Sequence, residues 1–162
     1  MSKVYFADIR ARSEEESKAA KIEKLFEAAG FNDLISDDDF TGIKVHMGEE
    51  GNDSHISPVM VRKVVDKVKE YQGKPFVSDT NTLYTGERHN AIDHLRTAER
   101  HGFTYSVLDA PVMIADGLNG KDFEEVQINK PRFEKVKIAT DFSTADSMIV
   151  LSHFKGHDMA GF

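Results

Sequence analysis

Three times in the first hundred residues a short apolar run is followed by a longer segment with helical spacing, and few folds accept that alternation. Lys3 to Asp8, with Val4, Tyr5 and Phe6 in succession, reads as a strand buried on both faces. Ser13 and Glu16 have the spacing of a capping box, and Ile22, Leu25, Phe26 and Ala29 lay an apolar stripe that Gly30 ends. Gly42 to Met47 alternates Ile43, Val45 and Met47 with Lys44 and His46 and predicts a second strand with one apolar face. Ser57-Pro58 then sets an N-cap with proline at the first helical position, ahead of Val61, Val64, Val65 and Val68. Phe76 to Asp79 is the third strand, and Arg88 to His101 resumes helical spacing through Ala91, Ile92, Leu95 and Ala98 up to Gly102. The order is βαβαβα, the signature of a mainly parallel central sheet with flanking helices.

Beyond Gly102 the pattern changes. Tyr105 to Leu108, Val112 to Ala115, Phe123 to Ile128, Phe133 to Ala139 and Ser147 to Ser152 are short β-like runs separated by turn signals such as Asn119-Gly120 and Lys130-Pro131. They predict a β-rich mixed extension closed by the buried strand Met148-Ile149-Val150-Leu151. At 162 residues the chain suits a single α/β domain over 1–162. His153 to Phe162 places a loop rich in Gly, His and Lys where a parallel sheet normally continues into a helix, so the expectation is the N-terminal portion of a longer protein. An uncovered C-terminal strand would also favour self-association.

Charge and composition exclude several classes. Lys and Arg number 21 against 28 Asp and Glu, a net charge of −7, which disfavours nucleic acid and anionic membranes and leaves a small molecule as the expected ligand. Met1 leads into apolar residues without a basic leader, and no apolar run nears the roughly 20 residues of a membrane span, so the expected location is the cytoplasm. With no cysteine the chain has no thiolate nucleophile and no ligand for an iron–sulfur cluster. Asp37-Asp38-Asp39 reads as a solvated loop, because a calcium loop alternates ligands with spacers and ends on a distal Glu.

In open α/β sheets ligands lie outside the carboxyl ends of the strands, so the polar residues following each strand are the candidates. Lys44, His46, Asp79, His153 and Lys155 carry the donor and acceptor types that proton transfer needs. Asn52, Thr80, Asn81, Tyr84 and Arg88 are the candidate ligand contacts, with Glu49 and Asp158 in the same loops. Arg88 near a helix start, with Lys44 and Lys155, suits a carboxylate or phosphate. His153 and His157 are the candidate ligands of a divalent metal, although Gly156 between them favours a loop over a shared helix face. His94 and His101, seven residues apart, read as partly covered structural residues. Neither a GxGxxG nor a Walker loop is present, and Ser152-His153 is no hydrolase pair because neighbours on a strand face opposite ways.

Three motifs together carry a resemblance: Gly42-Ile43-Lys44-Val45-His46-Met47-Gly48, Ser78-Asp79-Thr80-Asn81-Thr82-Leu83-Tyr84, and Ile149 to His157 with Ala160-Gly161-Phe162. In that order they resemble the domain of unknown function family 362. The resemblance implies a prokaryotic cytoplasmic α/β protein of a family associated with iron–sulfur centres, although the cysteine segment of many members is absent here. A more distant similarity, through His153, His157 and Ala160-Gly161-Phe162, is to the nickel-dependent lactate racemases. Two functions follow as expectations: part of a redox or proton-transfer site for a small anionic substrate, or a non-catalytic ligand-binding or assembly module.

Overall fold

The computed structural model describes residues 2–157 and 161. In chain order its helices and strands are α1 (Lys18–Ala28), β1 (Phe40–Val45), α2 (Pro58–Glu70), β2 (Lys74–Asp79), α3 (Ala91–Arg100), α4 (Tyr105–Leu108), β3 (Val112–Ile114), β4 (Phe123–Gln127), β5 (Lys135–Ala139), α5 (Thr140–Ser143) and β6 (Ser147–Leu151). Four strands form one parallel sheet in the order β3-β2-β1-β6, while β4 and β5 make a separate antiparallel pair. This is the expected parallel sheet with flanking helices and a β-rich second half. The order reverses beside β1, where β6 joins after the chain has left β3 on the far side.

Side-chain periodicity decides which residues reach the core. Ile43 and Val45 are fully buried and join Val61, Val64, Val65 and Val68 of α2, Val77 of β2 and Phe26 of α1 in one apolar cluster. That cluster clamps α2 across β1 and β2 and so fixes where their carboxyl ends emerge. On the other face Gly42 lies under two rings: a Cβ there would stand 3.0 Å from Phe76 and 3.1 Å from Phe142. A Cβ at 42 would oblige these rings to give way by a few tenths of an ångström. Among the described residues no helix is long and apolar enough to cross a membrane.

Several local expectations are corrected. Lys3 to Asp8 forms no strand: Val4 and Phe6 stand 90% and 87% exposed, so an apolar run alone did not recruit a partner strand. Ser13 and Glu16 make no capping box. Glu16 instead accepts from the Arg12 N–H, a 3-10 turn spans Glu14–Glu16, and Ser17 caps α1 by accepting from Ala20 N–H. Tyr105 to Leu108 is a helical turn capped by Thr104 rather than a strand. The helix expected from Arg88 begins at Ala91 behind the Asn90 cap, and it is rotated: His94, Thr97 and Ala98 are buried while Ile92 is 60% exposed. Asp37 to Asp39 is the exposed turn expected of it, apart from the partly covered Asp39.

Candidate functional site

The carboxyl ends of β1 and β2 hold a dense polar cluster. Asp79, the last residue of β2, is almost fully buried, and three cationic or imidazole nitrogens surround it. Lys44 Nζ is 3.0 Å from its Oδ1, Arg88 Nη1 is 3.5 Å from Oδ2, and His94 Nε2 is 3.7 Å from Oδ2. Parallel pairing of Lys44 with Ser78 brings the first of these to the same height as the strand end. Arg88 arrives from the loop before α3, which closes through a Thr82 N–H bond to the Arg88 carbonyl. His94 arrives from the first full turn of α3, whose Asn90 cap accepts from Asp93 N–H.

A second carboxylate completes the ring. Glu49, in the loop after β1, accepts from Arg88 Nη2 and from the Tyr84 hydroxyl at 2.9 Å, and Arg88 also donates to that hydroxyl at 2.9 Å. His46 is half-buried, and its Nδ1 accepts from the Gly48 N–H at 2.9 Å. The neutral ring therefore carries its proton on Nε2.

The electrostatics follow from burial and partners. Burial, reinforced by the Arg88 charge, lowers the His46 pKa, so the ring is neutral at neutral pH. His94 is pushed down to about 4 by burial, against the attraction of Asp79. Burial raises the Glu49 carboxyl, but hydrogen bonds from Arg88 and Tyr84 outweigh it and hold Glu49 below the usual range. Burial and the Glu49 hydrogen bond raise the Tyr84 phenol.

Unpaired polar atoms converge on the same place. Among the described residues, buried side-chain atoms without a hydrogen-bond partner are His55 Nδ1 and five atoms of this region: Asp79 Oδ2, Asn81 Oδ1, Arg88 Nε and both ring nitrogens of His94. Buried polar groups are ordinarily paired, so such a concentration makes this region the candidate site.

A family model described as a domain of unknown function (DUF362) matches residues 41–162, well over half of the chain and the whole of this cluster. The chain belongs to that family. No curated protein and no solved structure matches it, so the likeness to lactate racemases gains no support from either comparison. The DUF362 match begins inside β1, leaving the N-terminal segment and α1 outside it.

Within this DUF362 chain the structure brings together Lys44, His46, Asp79, Tyr84 and Arg88 from the expected set. Asn52 instead serves its own loop, its Oδ1 accepting from Ser54. Asn81 donates from its backbone to Asp116 and from its side chain to Asp116 and Gly117, tying the loop after β2 to the turn after β3, and Thr80 lies half-buried between. His153 and Lys155 are exposed beyond β6, with Lys155 donating to the Gly156 carbonyl, and the His157 backbone pairs with Gly161. Asp158, Ala160 and Phe162 lie outside the described residues.

For a metal, no group of three or more His, Asp or Glu side chains among the described residues is arranged to hold one. An iron–sulfur cluster does not fit this chain either, because no cysteine is present to hold one. Two residues, one in the cluster and one at its margin, give little sign of their place in the sequence. His94 is fully buried rather than partly covered, and its signal was its position three residues after Ala91 and four before Ala98, on the inward face of α3. Asp116 carried no local signal, since only the β2–β3 pairing brings it to Asn81.

Proposed function

We propose that the cluster at the carboxyl ends of β1 and β2 binds a small anion and transfers a proton to or from it. The observation that carries this reading is the buried Asp79 carboxylate with Lys44, Arg88 and His94 around it, one oxygen lacking a hydrogen bond. In a chain of net charge −7, an anion is attracted only where cations are gathered locally, and here Lys44 and Arg88 are held side by side.

In this reading each residue has a distinct task. Arg88 supplies a guanidinium fixed from behind by Asp79, and Lys44, about one third exposed, reaches from Asp79 toward solvent. His46 offers a neutral Nε2–H to an oxygen of the ligand, a donor that adds no charge. Proton transfer falls to Lys44, the residue placed to exchange a proton with both the ligand and solvent, with Asp79 holding its nitrogen in position. His94 is a positioning residue that bears on Asp79.

The test follows the His46 ring and Lys44 amine resonances while sodium acetate, sodium malonate or inorganic phosphate is added. Saturable shifts in the native chain that are lost in Lys44→Met and weakened in Arg88→Gln support the reading. Absence of a saturable response to all three anions overturns it. Binding that leaves the Lys44 amine protonation unchanged across the titrated pH range would instead favour a non-catalytic binding module.

A further inference from the structure

Glu49 is an unusual neighbour for an anion site, because its carboxylate already occupies the donors such a site would offer. Arg88 and the Tyr84 hydroxyl both donate to one oxygen, Glu49 Oε1. Arg88 itself is immobilised: its side chain is only 10% exposed, Asp79 holds its other nitrogen, and its Nε is buried without a partner. Glu49 is not. Its side chain is 44% exposed on a loop bounded by Gly48 and Gly51, outside any helix or strand.

The two glycines differ in a way that suits a pivot. Gly48 has a φ of +89°, and a Cβ there would lie 2.5 Å from His101 Nδ1 and 2.9 Å from His55 Nδ1. Its end of the loop is seated against stacked rings whose centroids are 4.6 Å apart, and His101 Nδ1 donates to the Met47 carbonyl at 2.8 Å. At Gly51, with a φ of +77°, a Cβ would meet nothing within 4 Å. Beyond Glu49 the loop is held at its surface, by the Asn52 N–H on the Glu49 carbonyl at 2.9 Å and by the exposed Glu50–Arg100 pair at 3.0 Å.

Charge balance points the same way. With Glu49 in place, Lys44 and Arg88 face two carboxylates, Asp79 and Glu49, and these four ion-paired groups are formally neutral. With Glu49 swung out the remaining groups carry one net positive charge, which matches a monoanion. A phosphate dianion would overfill it and stand close to the buried Asp79.

We infer that the Glu49 carboxylate sits in the seat of the ligand's own carboxylate, so that the ligand is a small monocarboxylate and binds by displacing Glu49 from Arg88 and Tyr84. This rests on the anion-binding reading above. The internal carboxylate competes with the ligand, so affinity is lowered by the fraction of molecules in which Glu49 is docked.

The experiment measures acetate and inorganic phosphate binding to the full chain at fixed ionic strength, by the same resonances, in the native protein and in Glu49→Gln, Glu49→Asp, Tyr84→Phe and Arg88→Lys. The expected result is tighter acetate binding in Glu49→Gln, on the order of tenfold, and a smaller gain in Glu49→Asp, whose shorter side chain leaves the seat. Adding Arg88→Lys to Glu49→Gln should cancel the gain, since an ammonium lacks the guanidinium fork. Glu49→Asp keeps the charge of the loop and serves as the check should Glu49→Gln fold poorly. If the native chain binds acetate through Lys44 and Arg88 but neither Glu49 variant tightens it, the displacement is overturned while the anion site stands. If Glu49→Gln comes to prefer phosphate over acetate, the monocarboxylate assignment is overturned. If no variant binds either anion, both readings fall together.

Discussion

At the amino ends of β1 and β2 a cavity of about 500 Å³ is lined by Phe40, Pro75, Phe76, Pro111 and Met113, with Lys69, Lys74 and Asp109 at its margins. At the carboxyl ends of the same two strands stand Lys44, His46, Asp79, Arg88 and His94. The first region has the volume a ligand would need, and its lining offers mainly apolar contact. The second has the chemistry: paired charges, two neutral imidazoles and buried atoms without partners. Shape and chemistry diverge here, and the carboxyl end is the stronger candidate because buried polar atoms without hydrogen bonds are costly whereas an open apolar groove costs little.

Four perturbations test that contrast. The largest effect is expected from Asp79→Ala, which strands Lys44 and Arg88 beside a buried imidazole. Removing one partner of a buried charge cluster should lower stability by about 3–5 kcal/mol, read as a shift of the urea midpoint. An unshifted midpoint would mean the cluster is solvated after all.

Next is the pH dependence set by His94, whose folded pKa of about 4 lies below the 6.5 of a free imidazole. Above pH 6.5 both folded and unfolded forms are neutral, and the full stability is present. As the pH falls from 6.5 toward 4 the unfolded chain takes up a proton that the folded chain refuses, so stability declines by about 3 kcal/mol and levels off below 4. His94→Leu should flatten that part of the stability curve, and a native-like slope in the variant would assign it to other groups.

Gly48→Ala should cost about 2 kcal/mol, because the new Cβ meets the His101 ring and the positive φ disfavours a side chain. Thermal unfolding reads it, with Gly51→Ala, where space is open, as the milder comparison. The smallest effect belongs to the amino-end cavity. Phe40→Thr, at a residue 57% exposed, should change stability by no more than about 0.5 kcal/mol and leave the anion response of His46 untouched. A lost response would show that the two ends are coupled.

The alternation of apolar runs and amphipathic segments accounts for β1, α2, β2 and α3, because strand and helix periods are local properties that any sequence window displays. It also placed Lys44, His46 and Asp79 at strand ends, and hence at the ligand side of the sheet. The same local signal failed at Val4 to Phe6, where an apolar run found no strand to pair with, and at Tyr105 to Leu108, where Thr104 supplied a helix cap instead. His153, Lys155 and His157 had equal standing with Lys44 by composition, yet they lie exposed beyond β6.

Local residue patterns settle the material: an α/β chain, acidic and without cysteine, with polar residues after each strand. Which of those residues meet was decided by tertiary structure. His94 gains its place beside Asp79 from the rotation of α3 on the sheet, Asp116 reaches Asn81 through strand pairing, and Glu49 reaches Arg88 across 39 residues of chain. The physical reason is range: periodicity and capping act over a few residues, whereas burial, ion pairing and pKa displacement depend on neighbours that only folding brings together.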